Sequence, residues 1–381
     1  MKIGILTQPL MTNYGGLLQN YALQQVLMLN GHTVETIDWG LPHSLYYKLY
    51  QIKFAMMSYL RPHIYSRSYQ PTKRELSVIQ ENTDYFISHY IKKTITIHKK
   101  SDFGVQAHRG NYDAFIVGSD QCWRPCYNEF LSSMFLDFTK SKNVKRISYA
   151  ASFGTDVWEF SQKQTKECAC LAKLFDLVTV REDTGVNLCK DYLGIDAVHV
   201  LDPTMLLTKE DYIKLISIEK ELPSAGSLFN YILDPDKRKT DFITRVATDK
   251  GLKAFQVLPK YQAENRTKEN VKKSIDKCVF PRVTTWLRAF MDAEMTIVDS
   301  FHGMVFSIIF NKPFWVIGNT SRGMSRFNSL LKVFNLENRL LSIDQFDNVD
   351  ISQPIDWNSV NLILREKRNE CMSLLINKLN E

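Results

Sequence analysis

A brief apolar run, a turn of small or polar residues, then a stretch with helical periodicity recur along this chain, and this alternation most restricts its fold. The first run covers residues 2–7. Gly15 and Gly16 then open a pattern in which Leu18, Ala22, Val26 and Leu29 share one face, and Gly31 supplies the stop. Further strands are predicted at 34–38, 113–117, 146–151, 177–180 and 199–201. Between the last two, Asp183 or Thr184 caps a helix that Gly194 ends. A second series begins near Gly226, with strands at 228–233, 254–258, 295–298 and 314–317. Its helices are predicted at 284–293, 303–310 and 324–333, and a closing helix at 358–379. Strands joined through helices pair in parallel, with helices on both faces of the sheet. The expected class is therefore α/β, with two parallel-sheet domains at 1–206 and 227–345. A helical segment, 346–381, packs back on the first.

Composition narrows the class further. The chain has 381 residues, 44% of them hydrophobic and 23% charged, which excludes wholesale disorder. A net charge of +7 from 48 basic and 41 acidic side chains favours anionic partners but is too small for a nucleic-acid coat. No apolar run reaches the length of a bilayer span, and residues 3–6 are too few for the core of a signal peptide. Seven cysteines form no paired framework, and neither Cys122/Cys126 nor Cys168/Cys170 has a second pair at zinc-site spacing. Reduced cytoplasmic thiols and no metal site are expected.

Residues 39–74 stand apart. They contain no Asp or Glu, yet carry Lys48, Lys53, Arg61, Arg67, Lys73 and Arg74 among several tyrosines. Such a stretch could hold a carbohydrate, an anionic lipid head group or a nucleic-acid strand. The favoured reading is an excursion, within 39–100, whose tyrosines pack on the first domain while the lysines face water.

In open α/β sheets ligands bind beyond the carboxyl ends of the strands, where helix N-termini offer unpaired N–H groups. Unusual residues occupy several of these ends. In Thr12-Asn13-Tyr14-Gly15-Gly16 the glycines permit close approach of backbone to a ligand, and Asn13 or Tyr14 can bind hydroxyls; the spacing is not a dinucleotide fingerprint. In Gly118-Ser119-Asp120-Gln121 a carboxylate at a strand end can accept a proton from, or orient, a sugar hydroxyl; a plain helix cap is the competing reading. Arg181 follows the strand at 177–180, where its planar fork suits a carboxylate or phosphate unless Glu182 or Asp183 pairs with it. His302 and Gly303 follow the strand at 295–298, the imidazole able to give or take a proton near neutrality. Arg322 and Arg326 flank Gly323-Met324-Ser325. Charge-assisted bonds from such arginines contribute about 1.5–3 kcal/mol each, enough to clamp a small dianion between two domains.

These segments, with Val117-Gly118-Ser119-Asp120-Gln121-Cys122-Trp123, Ser148-Tyr149-Ala150-Ala151-Ser152-Phe153-Gly154 and Asp299-Ser300-Phe301-His302-Gly303, occur in the order seen in polysaccharide pyruvyl transferases, which the chain resembles over about residues 1–340. The resemblance implies two Rossmann-like domains in a GT-B-like arrangement, the first on the acceptor side and the second on the donor side. It implies transfer of the pyruvate skeleton of phosphoenolpyruvate to a sugar of a cell-surface or exopolysaccharide precursor, as a ketal, with release of phosphate. Phosphoenolpyruvate is then a co-substrate and no cofactor is needed. Arg181 and His302 match the family's donor-binding residues, with Gly303 beside them and Arg322 or Arg326 as the further cation. Asn13, Tyr14, Gly15, Ser119 and Asp120 fall to the acceptor, with Asp120 as hydroxyl partner. The saccharide would be lipid- or nucleotide-linked, and the station cytoplasmic or at the inner face of the membrane. Nucleic acid is not an expected partner, and the oligomeric state is open. Two alternatives remain at this point: a GT-B glycosyltransferase using a nucleotide sugar, and a non-catalytic saccharide-binding protein.

Overall fold

The computed structural model describes residues 1–40, 69, 71–139, 143–262, 266–318 and 323–381. Arg322 and most of the tyrosine-rich basic stretch, residues 41–68, lie outside them. Two wholly parallel sheets form. The first contains β1 (Lys2–Leu6), β2 (Thr33–Thr36), β3 (Ala114–Val117), β4 (Lys145–Ala151), β5 (Leu177–Val180) and β6 (Val198–His199) in the order β2-β1-β3-β4-β5-β6. The second contains β7 (Leu228–Tyr231), β8 (Ala254–Phe255), β9 (Met295–Val298), β10 (Phe314–Ile317) and β11 (Leu340–Leu341) in the order β11-β10-β9-β7-β8. Every residue of β3, β9 and β10 is buried, as expected for strands covered on both faces.

The two sheets share one winding. In each, the first strand lies between the second and the third. Connections on either side of that position leave toward opposite faces, so a crevice opens at the carboxyl ends of β1 and β3, and another at β7 and β9. The helices Tyr14–Leu29 and Phe301–Ile309 begin at these crevices. The nine residues of the second helix are all buried. Consequently one apolar core joins Ile3, Ile116 and Ile147 of the first sheet to Phe229, Val298 and Val316 of the second. Tyr14 is part of that join: its hydroxyl donates to the Pro281 carbonyl at 2.8 Å, and its ring packs among Tyr231, Phe280 and Trp286.

The closing helix runs Trp357–Asn380, with Asp356 accepting from the Asn358 and Ser359 amides at its start. Val360, Leu364, Cys371, Leu375 and Leu379 bury its inner stripe. Arg368 donates to the Met205 and Leu207 carbonyls, and Lys145 Nζ to the Lys378 carbonyl at 2.9 Å, so the helix lies against the first half.

Several elements differ from expectation. The joining segment contains a helix, Lys209–Ile218, nucleated by a reciprocal cap between Thr208 and Asp211. The predicted strand at 199–201 stops at His199, because the Leu201 amide turns to Cys371 Sγ, 3.4 Å away. The helix predicted from Gly303 starts at Phe301, with the Ser300 hydroxyl accepting from the Gly303 amide. Neither Asp183 nor Thr184 occupies the cap position after β5; Glu182 does, while its carboxylate reaches the Phe153 and Gly154 amides and the Ser152 hydroxyl. Among the described residues no helix is long and apolar enough to cross a membrane.

Candidate active site

The two crevices open on one cleft of about 320 Å³. Asn13, Gly15, Asp120 and Tyr127 line it from the first half; Ser300, His302 and Arg326 line it from the second. Contact across it is close. A methyl group on Gly15 would fall 2.1 Å from His302 Nδ1 and 2.2 Å from its Cγ, so only a hydrogen fits between this helix start and the imidazole. Gly303 has a different reason to be small: a methyl there would lie 2.8 Å from Ser300 Oγ and 2.9 Å from Val298 Cβ. Its absence lets the helix begin directly on β9. Asp299, wholly buried, ties the second crevice together by accepting from the Leu233 amide at 2.7 Å, the Asp234 amide at 3.1 Å and Lys239 Nζ at 3.1 Å.

Asp120 follows β3 with φ 72°, a left-handed conformation that an ordinary side chain adopts only where its surroundings enforce it. Its carbonyl accepts from the Cys122 and Ser152 amides at 2.7 and 3.0 Å. Its Oδ1 accepts from the Gln121 amide at 2.9 Å and from Arg181 Nη2 at 3.2 Å. Ser119 is completely buried: its hydroxyl donates toward the Ala150 carbonyl and Asp202 Oδ2, and its amide to Gln19 Oε1. Tyr14 is likewise in the core. The structure thus places Asn13, Gly15 and Asp120 on the cleft and Ser119 and Tyr14 behind it.

Arg181 also lies behind the cleft wall, with 2% of its surface exposed. Besides Asp120, it donates through Nη1 to Asp202 Oδ2 at 3.0 Å, and its guanidinium covers the Phe301 ring at 4.5 Å. Arg326 sits 5.9 Å from the centre of that ring, so Phe301 lies beside two buried guanidinium groups. His302 Nε2 is 3.6 Å from Asp202 Oδ2, slightly beyond a hydrogen bond. An imidazole from the second half and a guanidinium from the first do meet, but at the Asp202 carboxylate.

Charge explains how these groups coexist. Burial pushes the Asp202 carboxyl up, but His302, Arg181 and the Thr204 hydroxyl outweigh it and hold the group well below the carboxylate range. Asp120 feels the same burial and is brought down by Arg181, His302 and Arg326. Burial alone would lower the Arg181 pKa; Asp120, Asp202 and Glu182 raise it. Arg326 is pushed down to about 10, first by burial and then by repulsion from Arg181. Around this cleft the Arg181 charge is offset by Asp120 and Asp202, and Arg326 places a further positive group on the lining. The helix N-termini at Tyr14, Phe301 and Ser325 reinforce that polarity.

The polysaccharide pyruvyl transferase family model matches residues 13–321, the span that supplies every one of these side chains except the Arg326 region. The chain belongs to the polysaccharide pyruvyl transferase family. Among solved structures this transferase is similar in fold to S. aureus MnaA determined with UDP, at 11% identity and a TM-score of 0.50 over 98% of this chain and 90% of that one. Arabidopsis thaliana UGT89C1 complexed with UDP is comparable, at 10% identity and a TM-score of 0.50 over 98% of each chain. The pyruvyl transferase fold is thus α/β with two parallel sheets in a GT-B-like arrangement. No curated protein matches the chain.

Sequence reasoning missed Asp202 in this transferase. The signal was present, since Asp202-Pro203 follows the last strand of the first sheet, the position that drew attention to Asp120. It was hidden because Asp202 also reads as a turn cap, a role it does fill: its Oδ1 accepts from the Thr204 amide at 3.0 Å and the Thr204 hydroxyl at 2.7 Å.

Proposed function

We propose that this transferase moves the pyruvate skeleton of phosphoenolpyruvate onto two hydroxyls of a saccharide, forming a ketal and releasing phosphate. The observation that carries the reading is the single cleft on which Asp120, His302 and Arg326 converge from two facing strand-end crevices. Arg326 and the helix N-termini offset the charge of the dianionic donor. Protonation of the donor methylene leaves an electrophilic carbon bearing methyl, carboxylate and phosphate ester. His302 is the cleft group able to deliver that proton. One sugar hydroxyl adds to this carbon and loses its proton; a second hydroxyl displaces phosphate and closes the ring, its proton leaving with the phosphate or to water. Asp120 faces these hydroxyls. Held ionised by its cationic neighbours, it is a weak base, better suited to orient a hydroxyl and take its proton as positive charge develops on carbon. Arg181 acts through others, holding Asp120 and Asp202 in place. The donor is an intermediate of central metabolism, which puts the reaction in the cytoplasm, with acceptors carried on a lipid or nucleotide.

The test incubates the purified chain with phosphoenolpyruvate and a panel of nucleotide- and lipid-linked saccharides. Phosphate release coupled to the mass gain of a pyruvate ketal is expected, and His302→Ala should abolish both. Thermal stabilisation by UDP or CMP derivatives, with none from phosphoenolpyruvate, would overturn the reading in favour of a nucleotide-sugar glycosyltransferase.

A further inference from the structure

Tyr127 is built into the cleft in a way the donor does not require. Of the described aromatic side chains lining the cleft it is the strongly exposed one, at 50%, whereas Tyr231, Trp286, Phe301 and Phe327 are buried. Exposure here does not mean looseness. The Arg124 guanidinium covers the Tyr127 ring at 5.2 Å. Arg124 is itself gripped at two points by Glu159, through Nε to Oε2 at 3.0 Å and Nη2 to Oε1 at 2.9 Å, and it donates to Gln121 Oε1 at 3.2 Å. The turn that carries the ring, Pro125–Tyr127, is pinned by buried Asn128. Asn128 Nδ2 donates to the carbonyls of Gln121, Cys122 and Arg124, and its Oδ1 accepts from Gln8 Nε2. One ring face is therefore backed by a fixed cation, and the rest of a rigid, apolar surface is offered to the cleft on the wall that also bears Asp120.

We infer that Tyr127 is the platform on which a pyranose ring of the acceptor stacks. The inference rests on the transferase reading and specifies its acceptor subsite. A pyranose presents a patch of C–H groups on one face and hydroxyls around its rim. Partially positive C–H groups meet the negative face of an aromatic ring favourably, and an aromatic side chain fixed in advance loses little freedom on contact. A sugar seated on Tyr127 keeps its rim hydroxyls in the cleft that Asp120 also lines. Arg326 lines the same cleft from the second half of the chain.

The experiment uses the full chain and its Tyr127→Ala and Tyr127→Phe variants. Methyl β-galactopyranoside, methyl β-glucopyranoside and methyl α-mannopyranoside serve as probes in saturation-transfer NMR titrations, which need no turnover. At least one glycoside is expected to bind the wild type, about tenfold more weakly to Tyr127→Ala, and within about twofold of wild type to Tyr127→Phe. Thermal stabilisation by phosphoenolpyruvate should be the same in all three. Equal glycoside binding by Tyr127→Ala, equal losses in both variants, or no glycoside binding to the wild type would each overturn the platform. Glycoside binding with the expected variant pattern, but no phosphate released from phosphoenolpyruvate with any acceptor, would sustain the platform while removing the transferase reading.

Discussion

Gly15→Ala isolates the contact that joins the two halves of the site. The added methyl would lie 2.1 Å from His302 Nδ1, 2.2 Å from Cγ and 2.7 Å from Cβ. Ordinary contact for such atoms is about 3.5–4.0 Å, so the overlap exceeds about 1 Å. Rotating the imidazole does not relieve it, because the root of the side chain is also in the way. The helix at Tyr14–Leu29 must therefore withdraw from the helix at Phe301–Ile309, or His302 must leave its place beside Asp202. Overpacking of this kind costs about 1–3 kcal/mol, and Ala in place of a helical Gly returns about 1 kcal/mol. The net loss is roughly 0–2 kcal/mol by those figures, and the protein stays folded. Catalysis is far more sensitive, since a displacement of about 1 Å at a reacting group can lower the rate about 100-fold. The expected signature is a large fall in phosphate release with a small change in Tm, accompanied by a shifted His302 Cε1–H resonance in NMR spectra. Gly16→Ala is the milder comparison: the atoms nearest its methyl belong to the Asn13 side chain, at 3.2 Å and beyond, so the His302 resonance should stay in place. Wild-type turnover and an unmoved imidazole resonance in Gly15→Ala would refute the argument that this contact sets the position of His302.

Arg326→Gln should raise the KM for phosphoenolpyruvate about tenfold or more, since a charge-assisted bond contributes about 1.5–3 kcal/mol. Asp202→Ala should act on stability, leaving buried Arg181 with one carboxylate fewer and lowering stability by about 3–5 kcal/mol in urea titrations. A variant as stable as wild type would show that the Arg181 network is not structural. Burial holds the His199 imidazole below its ordinary 6.5, so the unfolded chain takes up the proton first as pH falls. The associated stability is complete above 6.5 and declines below it, toward the lower folded value. Urea midpoints at about pH 7.5 and 5.5 should therefore differ less in His199→Gln than in wild type.

The strands that were plain in the sequence are those buried on both faces. β3 and β10 are unbroken apolar runs, and β9 is interrupted only by Thr296. β11 could not be read, because two leucines at the edge of a sheet carry no periodicity. The helix at Lys209–Ile218 is signalled by Thr208 and Asp211, whose spacing is that of a reciprocal cap, although it falls in the segment between the two sheets. At the site, strand-end logic brought out Asp120, Arg181 and His302 because chemistry at such ends departs from the surrounding core pattern. It did not distinguish Arg181, sealed between Asp120 and Asp202, from Arg326, which lines the cleft. That difference depends on partners 61 positions before Arg181 and 21 after it, a pairing that no local pattern encodes. Gly15 shows the same limit: it reads as a turn glycine, whereas the neighbour that forbids a side chain comes from the other half of the chain.

The apolar interior that runs unbroken from Ile3 and Ile147 to Phe229 and Val316 has a bearing on how such a protein handles its reactants. Jaws hinged between the two sheets would have to tear hydrocarbon from hydrocarbon at every opening, and water would flood the gap. Traffic in and out must instead reach the cleft while the halves stay clasped. Selection then works as a keyhole does, by outline and charge at the entrance, and the reacting groups are already in register before any guest arrives.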